Sequence, residues 1–138
     1  MDFHYTRTEA TTAAPAAVWA LWSDPGTWAA WDPAVDAVTL DGDFAEGAAG
    51  TMVLSGGIET PFTLEVVEPG ARYLDQLTMG ELVIRIDHVV VATETGSDVT
   101  VTTAISGPGA QDIGPLVTRD APTAMATLVA MAEGRPPA

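Results

Sequence analysis

Residues 73–90 read YLDQLTMGELVIRIDHVV, and the alternation within them decides the fold. Tyr73, Asp75, Leu77 and Met79 share one phase of a strand, Gly80-Glu81 reads as a two-residue turn, and Leu82, Ile84, Ile86, His88 and Val90 form the apolar phase of the return strand. Residues directly opposite across an antiparallel pair lie on one face. A two-residue loop therefore sets Met79 against Leu82, Leu77 against Ile84, Asp75 against Ile86 and Tyr73 against His88. Tyr73, Asp75 and His88 thus meet on the face that is otherwise most apolar, and Arg85 and Asp87 point the other way. A one-residue slip would exchange the two faces.

The same reading extends in both directions. Thr51 to Ser55 carries Met52 and Leu54 on one face, Gly56-Gly57 starts a hairpin connection, and Pro61 to Glu68 alternates Phe62, Leu64 and Val66 with Thr63, Glu65 and Val67. Val35 to Leu40 and residues 2–12 supply further strands, the first of them with alternation too weak to set its phase. Downstream, Gly96-Ser97 turns the chain into Val99 to Ser106, with Val99, Val101 and Ile105 opposite a Thr-rich face, and Gly107-Pro108-Gly109 ends the sheet. From Ile113 the period becomes helical. Ile113, Leu116, Val117, Ala121, Ala124, Met125, Leu128 and Ala132 form one continuous stripe, expected to lie across the sheet. Pro122 falls inside that stripe and predicts a kink or break near Asp120. Gly134 stops the helix, and residues 135–138 read as a loose tail. With no internal repeat and no second core, residues 1–138 read as a single domain.

All four tryptophans fall between Ala14 and Pro33, at Trp19, Trp22, Trp28 and Trp31. Pro15 suits a first helical position, and Val18, Leu21 and Trp22 recur on one helical face. Asp24-Pro25 repeats the start signal and Asp32-Pro33 forces an extended exit, so two short helices follow the first strand. The tryptophans serve either as core packing over a sheet edge or as the mouth of a ligand cavity.

The totals narrow the possibilities. A chain of 138 residues, 47% hydrophobic and 17% charged, can bury a core without staples. Without cysteine it has no disulfide, thiolate metal site or cysteine nucleophile. Nineteen acidic residues against five arginines and no lysine give a net charge of −14, a surface that repels nucleic-acid backbones and anionic lipid. The acidity favours solubility, and arginine without lysine suggests a GC-rich bacterial source or a salt-adapted one. No apolar run approaches membrane-spanning length and no basic-then-apolar leader follows Met1, so a cytoplasmic protein is expected, as monomer or homodimer. Glycines 42–50 lack a P-loop signature, the two histidines are far apart, and there is no Gly-x-Ser-x-Gly motif, which argues against phosphate binding, a transition-metal site and a serine hydrolase.

Five segments carry a family likeness: VWALWSDPGTWAAWDP (18–33), VTLDGDFAEGAAGTMVL (38–54), PFTLEVVEPGARYLD (61–75), DHVVV (87–91) and ISGPGA (105–110). Together they resemble the polyketide cyclase/dehydrase branch of the START-like (SRPBCC, helix-grip) superfamily, over nearly the whole chain. The resemblance implies an α+β helix-grip fold, with a curved antiparallel sheet of six to seven strands wrapped around a long C-terminal helix. It also implies a cavity between the concave sheet face and that helix, where the hairpin register independently puts Tyr73, Asp75 and His88. Trp28, Trp31, Met52, Leu54, Phe62, Leu64, Leu77, Ile86 and Met125 are then the expected wall. Cyclases, dehydrases and carriers of lipid or aromatic ligands share this branch, so fold does not settle chemistry.

Within that cavity His88 can act as acid or base near neutral pH, Asp75 can orient and charge it, and Tyr73 can donate to a substrate carbonyl. The bland alternative is that the trio is a satisfied polar network in the core. Arg85 is expected on the outer face, and His4 is left out of the site. Met52, Met79, Met125 and Met131 offer either an adaptable ligand wall or ordinary gap-filling. The expected ligand is an apolar, cyclic or polyketide-derived small molecule, cyclised or dehydrated by acid–base chemistry without a cofactor or metal. The alternative is a carrier or sensor that leaves its ligand unchanged.

Overall fold

The computed structural model describes residues 2–135; the expected tail lies, beyond Arg135, outside the described residues. The chain forms β1 (Phe3–Thr11), α1 (Pro15–Trp22), a 3-10 turn (Pro25–Thr27), α2 (Trp28–Trp31), β2 (Val35–Asp41), β3 (Ala49–Leu54), β4 (Ile58–Glu68), β5 (Arg72–Met79), β6 (Leu82–Thr93), β7 (Gly96–Ser106), α3 (Ala110–Val117) and α4 (Ala121–Ala132). The strands make one antiparallel sheet in the order β1-β7-β6-β5-β4-β3-β2, with β1 and β2 at its edges. This is the helix-grip arrangement, with short helices after the first strand and a bent C-terminal helix.

The central hairpin has the register that its alternation predicts: Tyr73 pairs with His88, Asp75 with Ile86, Leu77 with Ile84 and Met79 with Leu82. Gly80 takes the left-handed φ (60°) that a two-residue hairpin turn needs. On the outer face Arg72 bridges Asp87 at 2.8 Å and Arg85 bridges Glu65 at 2.8 Å. Strand β1, whose phase was open, turns Phe3, Tyr5, Arg7, Glu9 and Thr11 towards the same face as Ile105, Thr103, Val101, Val99 and Ser97 of β7. His4 lies exposed on the opposite face.

Two expectations change. The run Phe62, Leu64, Val66 does not keep phase, because a bulge between Leu64 and Val66 leaves Glu65 as an extra residue. Val67, paired with Tyr73, therefore joins the core in place of Val66. The break expected near Asp120 is present and divides the C-terminal stripe into α3 and α4, but the stripe does not stay buried throughout. The chain breaks at Thr118–Asp120, one turn ahead of Pro122, as that proline requires, and α3 swings onto β1 and β7. Leu116, expected in the buried stripe, is 60% exposed as a result.

Gly114 anchors α3. A Cβ there would stand 2.3 Å from the Phe3 ring, closer than any real contact, so α3 rests on β1 only because this position has no side chain. Gly114→Ala should lower stability by about 2 kcal/mol. Combining it with Phe3→Ala should recover part of that loss, a coupling that chemical denaturation of the two singles and the double would read.

Candidate functional site

Asp24 and Asp32 shape the tryptophan segment as their positions predict: Asp24 Oδ1 accepts the Gly26 N–H at 3.2 Å and Asp32 Oδ1 accepts the Ala34 N–H at 3.0 Å. Trp22, Trp28 and Trp31 are buried and Trp19 is half-buried. The Trp28 indole N–H donates to the Trp22 carbonyl at 3.0 Å, tying the two short helices together. Trp28 also stacks over Tyr73 at 5.7 Å and meets Phe62 at 5.9 Å, while Phe44 closes on Tyr73 at 5.2 Å. One end of the concave face is thus filled by the protein's own aromatic rings.

The other end is hollow. A cavity of about 440 Å³ lies between the sheet and α3–α4, within the size range of small-molecule sites. Its apolar wall includes Trp22, Trp31, Met52, Leu54, Leu77, Ile84, Ile86, Val101, Met125 and Leu128. His88 and Thr103 are the buried polar residues of the sheet that reach it. Asp32, Ser55, Thr118, Arg119 and Asp120 add polar groups to the lining, and the exposed side chains of Ser55, Ile58, Leu116 and Arg119 mark the mouth.

Of the residues expected at the site, Trp31, Met52, Leu54, Leu77, Ile86, Met125 and His88 line this cavity. Trp28, Phe62 and Leu64 do not; they face the same way but belong to the filled end, with Leu64 fully buried. Asp75 and Tyr73 stand behind the wall. Trp22, Ile84, Val101 and Thr103 were missed as wall residues, although Thr103 shares its phase with Val99, Val101 and Ile105 and could have been read from the alternation.

His88 is held on three sides. Its ring stacks on Tyr73 with centroids 3.9 Å apart and planes 6° apart, and meets the Trp22 ring edge-on at 5.5 Å. Its Nδ1 lies 3.3 Å from the Tyr73 carbonyl oxygen and 3.7 Å from Asp75 Oδ1. Nε2 is the ring nitrogen left to meet a ligand. Two buried polar atoms beside this stack, Trp22 Nε1 and Asp75 Oδ1, have no hydrogen-bond partner among the described residues.

Burial dominates the electrostatics. It pushes Asp75 up to about 7, with the Asp32 charge acting in the same direction, and pulls His88 down to about 4. The Tyr73 hydroxyl is raised well above its ordinary range by burial, then by the Asp75 and Asp32 charges. At 3.7 Å the His88–Asp75 contact is longer than a hydrogen bond, and it is not an ion pair, because burial disfavours both charges. Burial thus favours a neutral imidazole beside a protonated carboxyl between about pH 4 and 7.

The profile described as "Polyketide cyclase / dehydrase and lipid transport" matches residues 2–133. The chain belongs to this family. No curated protein sequence matches the chain. Solved structures agree on the fold of this polyketide cyclase/dehydrase-like protein. A protein from Mesorhizobium loti superposes with TM-score 0.82 at 13% identity, covering 96% of this chain and 98% of the other. The di-domain ARO/CYC StfQ from the steffimycin biosynthetic pathway gives 0.82 at 9% identity over 97% of this chain and 51% of its own. Norcoclaurine synthase from Thalictrum flavum, in complex with dopamine and hydroxybenzaldehyde, gives 0.72 at 18% identity over 95% and 86%. Among the described residues no helix is long and apolar enough to cross a membrane, and no group of three or more His, Cys, Asp or Glu side chains is placed to hold a metal ion.

Proposed function

We propose that the protein binds an apolar, cyclic or polyketide-derived small molecule in the cavity and that His88 catalyses its cyclisation or dehydration. The observation that supports this is one titratable ring, His88, set in an otherwise apolar part of the wall with a proton-bearing carboxyl behind it. Nε2 takes the proton next to a ligand carbonyl, and in a dehydration returns it to the departing hydroxyl, which leaves as water. Asp75 acts as the orienting partner through Nδ1, whose N–H donates to the Tyr73 carbonyl and has the Asp75 carboxyl oxygen 3.7 Å away as a second acceptor. Tyr73, expected as a carbonyl donor, takes a positioning role instead, since its buried ring clamps the imidazole. The enclosed wall adds proximity by folding a flexible chain against that one nitrogen. The likeness to a steffimycin-pathway ARO/CYC agrees with this chemistry.

A carrier that releases its ligand unchanged is the second reading, favoured by the fact that only His88 of the trio reaches the cavity. A panel of polyketide-like aromatics and their open-chain precursors separates the two. Under catalysis, H88Q should lower turnover at least about 100-fold while binding changes little. Full turnover in H88Q would remove His88 from the mechanism, and tight binding with no turnover in the wild type would leave the carrier.

A further inference from the structure

The mouth of the cavity carries a cation that the fold leaves unengaged. Four of the five arginines are committed to carboxylates: Arg7 to Glu9, Arg72 to Asp87, Arg85 to Glu65 and Arg135 to Glu133. Arg119 has no carboxylate within salt-bridge distance and no side-chain hydrogen bond among the described residues, in a protein with nineteen acidic side chains to choose from. It sits in the turn between α3 and α4, where the Thr118 N–H donates to the Gly114 carbonyl at 3.0 Å and holds the backbone beside it. The guanidinium is the free part.

The other polar groups of the rim cannot take its place. Ser55 Oγ donates to the Pro33 carbonyl at 2.8 Å and Thr118 Oγ1 donates to the Gly114 carbonyl at 2.9 Å, so both hydroxyl protons are used. Asp32 and Asp120 are acceptors when ionised and oppose an anion. Among the described residues Arg119 is the side chain of the rim with uncommitted donors, and a planar fork of them suits a carboxylate. Its neighbours at the mouth, Ile58 and Leu116, are exposed apolar side chains, 52% and 60% accessible, that continue the apolar wall outwards.

We infer that the ligand is an amphipathic acid, its apolar body enclosed and its carboxylate held by Arg119 at the mouth. This rests on the cavity-binding reading above and names the ligand class for it. The negative remainder of the rim makes the device selective, because an anion that does not engage Arg119 meets Asp32 and Asp120 instead.

Two fluorescent probes with one ring system test this: neutral N-phenyl-1-naphthylamine, and 1-anilinonaphthalene-8-sulfonate, which adds an anionic group. The wild type should bind the sulfonate about tenfold more tightly than the neutral probe. R119Q should erase that preference while leaving the neutral probe's affinity unchanged, and R119K should keep most of it. Equal affinities in the wild type, or an R119Q variant that affects both probes alike, would overturn the role of Arg119 while leaving the cavity in place. Binding of neither probe would overturn the cavity reading and this inference together.

Discussion

D75N and H88Q should change the pH dependence of stability in opposite directions between about pH 4 and pH 7. Asp75 keeps its proton to about 7 in the folded protein, whereas an ordinary aspartate gives it up near 3.8. Over that window the folded state holds a proton that the unfolded state has lost, so this group's contribution falls as pH rises. His88 is the reverse. It stays neutral down to about 4 when folded, against an ordinary 6.5, so the unfolded state holds the extra proton and stability falls as pH falls through that range. In the wild type these two slopes nearly cancel each other where both operate. Relative to the wild type, D75N should become more stable with rising pH by up to about 1.4 kcal/mol per unit, and H88Q should become less stable by a similar amount. Urea titrations at pH 4.5, 5.5 and 6.5 would read both, and taking each variant against the wild type removes the background of the other acidic residues. Parallel profiles would show that the two side chains are not buried together as neutral groups.

Gly50→Ala should be the most damaging single methyl in the sheet near the site. An added Cβ at Gly50 would lie 2.3 Å from the Thr39 carbonyl oxygen and 2.8 Å from two atoms of the Phe62 ring. Neither neighbour can retreat. Thr39 is backbone in the adjacent strand β2, and Phe62 is held against Trp28, which in turn covers Tyr73. The expected loss is about 3 kcal/mol, or roughly 10 °C in Tm. Because the strain passes through Phe62 and Trp28 to the ring that clamps His88, near-ultraviolet circular dichroism of the tryptophans should change as well. A variant with wild-type Tm and an unchanged aromatic spectrum would show that β2, β3 and the aromatic cluster pack otherwise.

Strand phase was the most legible property of this chain. Alternation over residues 73–90 is sufficient to pair Tyr73 with His88, because a slip would expose Leu77, Ile84 and Ile86 to water. Phase reports which face a residue takes, not how far along a curved sheet the cavity reaches. Phe62, Leu64 and Trp28 face inwards as expected, yet with Phe44 they fill their own end of the grip, and the hollow begins one or two strand positions away. The bulge after Leu64 was hidden because Val66 and Val67 suit the core equally well. Pro122 announced the break before α4, but the exposure of Leu116 follows from where α3 goes after that break, which depends on Gly114 meeting Phe3 a hundred residues away. The mouth itself joins Asp32, Ser55 and Arg119 from three separate connections, and no local periodicity brings such residues together.

The central claim is an apolar cavity that receives a ligand against His88. It is tested most directly by NMR of the protein, with labelled methyl groups and labelled histidine, titrated with 2-naphthol, a bicyclic apolar compound with one hydroxyl. Saturable shifts at the methyls of Leu54, Leu77, Ile84, Ile86 and Val101, together with a shift of His88 Nε2, are expected. Shifts confined to surface methyls such as Val91, or an unmoved His88 in a saturated complex, would contradict the account.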